Sequence, residues 1–259
     1  MHGQEGDAIS EEHAPGSSGP NPEPAALALP VLDGAGQQLR APWAASVAGM
    51  LFAVLFSAGL LLIRISPLSS LDAGELAAQF AEGRDQALFI ATAYLLPFAG
   101  VMFLWFIAVI RDQLGEREDK FFGTVFFGSG ILFVGLILVA SAVAASIAVG
   151  VRFLDLPVPT LEQVQTARAM AYTILFVIST RAAAVCLISI STLGIRSGVF
   201  PRWFAATGYI LGLSLLLFVS LWDLFLLALP AWVAIVSLFI LRRERDRARK
   251  LGGTLDPAG

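Results

Sequence analysis

Histidine, cysteine and charge are all scarce in this chain, and each shortage removes a class of chemistry. The two histidines, His2 and His13, both lie near the N-terminus. With none in any apolar segment, bis-histidine haem ligation and an HExxH zinc site are excluded. A rhomboid-type serine protease would lack its base, so Gly128-Ser129-Gly130 reads as helix packing. The one cysteine, Cys186, permits no intrachain disulfide and no multi-cysteine metal site. No Walker motif, Rossmann fingerprint or pair of intramembrane carboxylates occurs. A proton-coupled transporter needs an acid near mid-membrane, and inverted repeats would mark many transporter folds; the sequence displays neither. The expected protein is therefore non-enzymatic, without cofactor or metal.

Charged residues make up 14% of the chain and apolar residues 57%. A soluble domain carries roughly 25% charge, so a soluble fold would lack polar surface. The apolar residues fall in long blocks at 43–63, 88–110, 121–149, 170–193 and 203–241. Stretches of about 20 residues match the hydrocarbon thickness of a bilayer. The last block would be about 58 Å long as one helix, too long for one span, and it is broken near its middle by Trp222 and Asp223. A tight turn at 220–223 divides it in two. The expected fold is all-α: a polytopic bundle of about six transmembrane helices.

Three regions follow. Residues 1–41 carry Pro15, Pro20, Pro22, Pro24 and Pro30, and six acids precede Arg40. Such a tail buries too little apolar surface to order itself, and it is too long and too acidic for a signal-peptide n-region. Residues 42–242 form the helical domain, and 243–259 a basic tail. Within the domain, Pro67 ends the first helix. Asp72 with Glu75 opens a short interfacial helix to about Ala81, and Thr160 with Gln163 has capping-box spacing ahead of the fourth helix. Gly194 is expected as the C-cap of that helix, and Pro201 in the first turn of the fifth.

Basic residues near helix ends set orientation. With the N-terminus inside, twelve arginines and lysines fall on inner segments and four on outer ones, namely Arg64, Arg84, Arg152 and Arg168. Both termini are thus expected in the cytoplasm. The basic run 242–250 anchors the last helix and suits anionic lipid headgroups; without a folded reader domain it does not indicate nucleic acid. The lipid bilayer is the one expected partner.

Arg181, midway along the fourth helix, is the most unusual residue. A basic side chain at a helix centre costs about 2.5–3.5 kcal/mol to insert, so it should face protein or water. Side chains lean toward a helix's N-terminus, which points Arg181 outward. Thr92, Tyr94, Tyr172 and Asp223 lie on that side. Two possibilities stand side by side: a polar pocket with Arg181 as an anion anchor, or a structural arginine bonded to hydroxyls and backbone carbonyls. Pro97 removes a bond to the Ala93 carbonyl and is expected to kink the second helix. Small residues recur every four positions at Ala45, Gly49, Ala53 and Ser57, at Ala140, Ala144 and Ala148, and at Gly208 and Gly212. They let helices approach closely within one chain.

The run Leu193-Gly194-Ile195-Arg196-Ser197-Gly198-Val199-Phe200-Pro201-Arg202-Trp203, followed by Gly208, resembles a turn in an uncharacterised family of small bacterial multi-pass membrane proteins. The hydropathy layout over residues 43–242 is similar as well. The resemblance implies a bacterial source and the six-helix topology, and no activity. Two functional expectations follow: a small-ligand or lipid-binding or accessory membrane protein, or a small transporter or channel built around Arg181.

Overall fold

The computed structural model describes residues 41–65, 75, 78, 80, 82–83, 85–114, 120–198, 200–218 and 226–252. Six helices account for nearly all of them. The first, α1, is Ala41–Ile65. The second, α2, joins Gln86–Ile90, a π-helical turn Ala91–Leu95, and Leu96–Leu114. The third, α3, is Lys120–Phe153. The fourth, α4, joins Leu161–Tyr172, a π-helical turn Thr173–Ile178, and Ser179–Arg196. Then come α5, Arg202–Leu217, and α6, Ala228–Gly252. The N-terminal tail, the expected turn at 220–223 with Trp222 and Asp223, and most of the expected interfacial helix after Asp72 lie outside the described residues.

The chain is an all-α polytopic bundle. Spans within α1 to α4 are long and apolar enough to cross a membrane, while α5 and the apolar part of α6 are shorter. Every helix presents large apolar side chains outward, among them Val54, Phe98, Trp105, Leu132 and Ile210. A water-exposed surface rarely carries apolar patches on this scale; a lipid-facing one must.

Most packing is between helices adjacent in sequence, with α6 returning to α1 and touching α5 where Phe204 stacks on Trp232 at 5.3 Å. The first helix lies against α2 and α6, α3 fits between α2 and α4, and α5 packs on α4. The centre is filled by phenylalanines. Phe52 and Phe103 have ring centroids 4.7 Å apart, Phe103 and Phe133 5.2 Å, and Phe56 and Phe133 6.1 Å. The small residues do their expected work at three points. A Cβ on Gly49 would meet Phe106 at 2.7 Å, one on Gly208 would meet Trp232 at 2.8 Å, and one on Gly212 would meet the Ala184 carbonyl at 3.0 Å. These are close approaches inside one chain.

The capping-box signal is realised; two expectations, for Gly194 and Pro201, are corrected; and Pro67 and Asp72 lie outside the described residues. Thr160 accepts from the Gln163 backbone N–H, and the Gln163 side chain accepts from the Thr160 N–H, closing the capping box. Gly194 is not the C-cap of α4. That helix runs on to Arg196, and the left-handed residue is Gly198, with φ +66°. Gly194 is needed for space instead, because a Cβ there would strike the Phe200 ring. Pro201 is not in the first turn of α5 but precedes it as the N-cap residue, in an extended conformation, so the motif is a stop, a folded-back phenylalanine and a start.

Candidate functional site

Two π-helical turns face the same space. In α2 the widened turn Ala91–Leu95 comes just before Pro97. Proline has no N–H for the Ala93 carbonyl, and the extra residue of the π turn relieves the resulting misfit locally, in keeping with the usual causes of kinks. In α4 the turn Thr173–Ile178 is saturated from one side. Ser179 Oγ donates to the Leu175 carbonyl. Thr180 Oγ1 lies 3.1 Å from the Phe176 carbonyl and 2.9 Å from that of Val177. The Arg181 guanidinium donates to Val177 as well, and lies 3.2 Å from Thr180 Oγ1. A Ser-Thr-Arg run thus supplies donors to three consecutive carbonyls at a site where regular α-helical bonding is interrupted.

Between these turns lies a cavity of about 320 Å³. It occupies the end of the bundle where α1 and α3 finish and α2 and α4 begin, called here the upper end. Leu60 and Leu61 wall it from α1, Leu88 and Phe89 from α2, and Leu175 and Phe176 from α4. Ala140, Ala144 and Ala148 of α3 and Ala167 and Ala171 of α4 leave the space open, because their side chains are too short to fill it. The alanine stripe on α3 therefore has a second consequence beyond close packing: it forms a wall of the cavity. Below it, Leu60 and Leu96 are followed by the buried Phe56 and Phe133, which close off the interior.

The cavity's upper rim is polar. Arg64 and Arg168 line it, together with Asp85. Asp85 is buried, and its carboxylate receives the Arg152 guanidinium on both oxygens, Nη2 at 2.8 Å from Oδ1 and Nε at 3.3 Å from Oδ2. The same guanidinium sits over the Phe89 ring, 5.1 Å from its centroid, a cation–π contact. Arginine's planar fork suits such two-point pairing with a carboxylate.

Of the residues singled out from sequence, Thr92 and Tyr172 line this cavity. Thr92 is buried and donates its hydroxyl to the Leu88 carbonyl at 2.8 Å; Tyr172 stacks on Phe176 at 4.6 Å. Tyr94 is turned to the outside of the bundle, edge-on to Phe89 at 5.8 Å. Arg181 is half-buried and follows Phe176, the last α4 residue of the lining, by more than a turn. It is bonded to its own helix at Val177 and Thr180 and contributes no lining surface. Asp223 lies outside the described residues. Sequence reasoning passed over Arg64, Arg168, Asp85 and Arg152 as chemistry. The available signal was the four arginines expected on the outer side, three of which, Arg64, Arg152 and Arg168, converge here. Among the described residues no group of three or more His, Cys, Asp or Glu is placed to share a metal ion. No protein-family model matches the chain, and neither a curated protein nor a solved structure matches it.

Proposed function

We propose that this protein is a multi-pass integral membrane protein that binds a lipid or another apolar small molecule in the upper cavity, without converting it chemically. The observation that carries this proposal is the cavity itself: an apolar trough with a polar rim, in the volume range of small-molecule sites, about 300–1,000 Å³. Thr92 already donates to the Leu88 carbonyl, Asp85 is engaged by Arg152, and no histidine is among the described lining residues. Binding, rather than catalysis, suits that set of groups.

In this proposal α5 and α6 complete six spans in a bacterial cell membrane, and both termini are cytoplasmic. The upper end then faces outward, by the excess of arginine and lysine at the lower end and in the tail after α6. The resemblance of the Leu193–Trp203 turn to a bacterial multi-pass family supports the same placement. A channel or transporter around Arg181 is disfavoured by the buried phenylalanines beneath the cavity and by the bonds that tie Arg181 to its own helix.

The test is photolabelling of the full chain in membranes with an acyl chain bearing a diazirine. Labelled peptides from 140–148 and 164–176 support a cavity site. Labelling confined to lipid-facing positions such as Phe98, Trp105 and Leu132 would sink it.

A further inference from the structure

We propose that the ligand is one acyl chain of a bilayer lipid, entering the cavity sideways from the leaflet at the upper end, through a gap between α1 and α4 above the short helices α5 and α6. This inference rests on the cavity being a ligand site, as proposed above, and adds what fills it and by which route.

Helix length carries it first. α5 has 16 residues, and the apolar part of α6, Ala228–Arg242, is no longer, whereas the spans in α1 to α4 run to 23–36 residues. Contacts fix where the short pair stops. A Cβ on Gly212 would meet the Ala184 carbonyl. From that level Leu217 rises about 7 Å along α5, while Tyr172 of the antiparallel α4 stands about 18 Å above it. A Cβ on Gly49 would meet Ser237 Oγ. From there Ala228 rises about 13 Å along α6, and the end of α1 about 24 Å. Both short helices thus stop about 10 Å below the level of Tyr172 and of the α1 terminus.

The lining carries it second. Among the described residues, Leu227, just before α6, is the one contribution of α5 and α6 to the cavity. A residue that lines a cavity and is also exposed marks its mouth: Leu61 of α1 is 48% exposed and Tyr172 of α4 is 39% exposed. Tyr172 lies about 6 Å below Arg168 along α4, and Leu61 about 4.5 Å below Arg64 along α1. Arginines at helix ends hold their charged heads at the headgroup level, so this apolar mouth opens just beneath it, where the chains begin.

The α4 backbone comes third. Where α5 ends, α4 passes into its π-helical turn Thr173–Ile178. A helix bare to lipid has to satisfy its carbonyls from within the protein, and here Ser179, Thr180 and Arg181 donate to those of Leu175, Phe176 and Val177. The Ser-Thr-Arg run therefore lets α4 stand uncovered beside the gap. The volume of about 320 Å³ is at the small end of ligand pockets, which suits one chain and not the whole of a two-chain lipid. The head and the second chain stay in the bilayer.

The experiment is photolabelling of the full chain in phosphatidylcholine vesicles with two probes, labelled residues being read by mass spectrometry. One probe is a phosphatidylcholine carrying a diazirine on one acyl chain, which does not leave the bilayer; the other is a diazirine-bearing octanol added from water. The phosphatidylcholine probe is expected to label Ala144, Ala148 and Leu175 in the interior as well as the lipid-facing Leu132. Leu61→Trp narrows the mouth and should lower interior labelling by that probe about tenfold, with Leu132 labelling and melting temperature unchanged. Leu61→Ala and Tyr172→Ala widen it and should raise interior labelling. Both positions are exposed, so the fold tolerates the changes. Interior labelling by the octanol but not by the phosphatidylcholine overturns the lateral route and leaves the cavity site standing. Interior labelling by the phosphatidylcholine that none of the three variants alters overturns the route between α1 and α4, again with the site intact. An interior labelled by neither probe overturns both proposals.

Discussion

Asp85 and Arg152, 67 positions apart in sequence, form an ion pair that joins the start of α2 to the end of α3 at the rim of the cavity. Its two ends are unequally buried: the Asp85 side chain is 4% exposed and that of Arg152 32%. Removing one partner of a buried pair is costly because the other charge is stranded. Arg152→Met strands a buried carboxylate, whereas Asp85→Asn leaves an arginine that can turn to water. Arg152→Met should therefore unfold at lower temperature than Asp85→Asn, by the equivalent of about 1–3 kcal/mol. Replacing both with leucine should recover most of the loss. Thermal unfolding of the four proteins in one detergent checks the order, and equal loss in the two single variants would contradict it.

Arg181 sits between two opposed terms of similar size. Its removal relieves an insertion penalty of about 2.5–3.5 kcal/mol and gives up hydrogen bonds from a charged group worth about 1.5–3 kcal/mol. The Val177 carbonyl also keeps the Thr180 hydroxyl at 2.9 Å. Arg181→Met should thus melt within about 1 kcal/mol of the wild type and retain probe binding in the upper cavity. Loss of binding with stability unchanged would return Arg181 to the site.

Glycines separate by what a side chain would meet. Gly212→Val drives a side chain toward Ile188 at 2.8 Å and the Ala184 carbonyl at 3.0 Å, and overpacking of this kind costs about 1–3 kcal/mol. Gly135→Ala meets nothing within 4 Å and should be neutral or stabilising through helix propensity. Melting temperatures decide; a destabilised Gly135→Ala would show that α3 packs on something beyond this chain.

The single cysteine gives a clean background for topology, because Cys186 is buried. In intact cells a membrane-impermeant maleimide should leave the wild type unlabelled, label Val158→Cys at the upper end, and miss Ser197→Cys at the lower end until the membrane is opened. The reverse pattern would invert the bundle and place the cavity on the inner face.

The helices were legible because their signals are local. Apolar runs of bilayer length and the Thr160–Gln163 box need only neighbours in sequence to take effect. The cavity was legible only in pieces. Thr92 and Tyr172 stood out as polar groups in apolar helices, and the α3 alanines as a small-residue stripe. That stripe looks the same in sequence whether a helix packs against it or a space opens beside it. Arg64, Asp85, Arg152 and Arg168 sit near helix ends, where charge is ordinary, so their convergence is a product of tertiary packing. Arg181 drew notice for its depth in the helix, but the donors that flank it, Ser179 and Thr180, and the π turn they bond form a local structure that periodicity does not reveal. Pro97 was the one sequence hint of a widened turn.

The central claim is that the upper cavity holds a ligand. Native mass spectrometry of the full chain, released gently from detergent, tests it most directly when the wild type is set beside Ala144→Phe, whose added ring fills the trough. The account predicts a retained lipid-sized mass on the wild type and its loss from the variant, with both proteins folded. The same adduct on both, or a bare chain in each case, would contradict it.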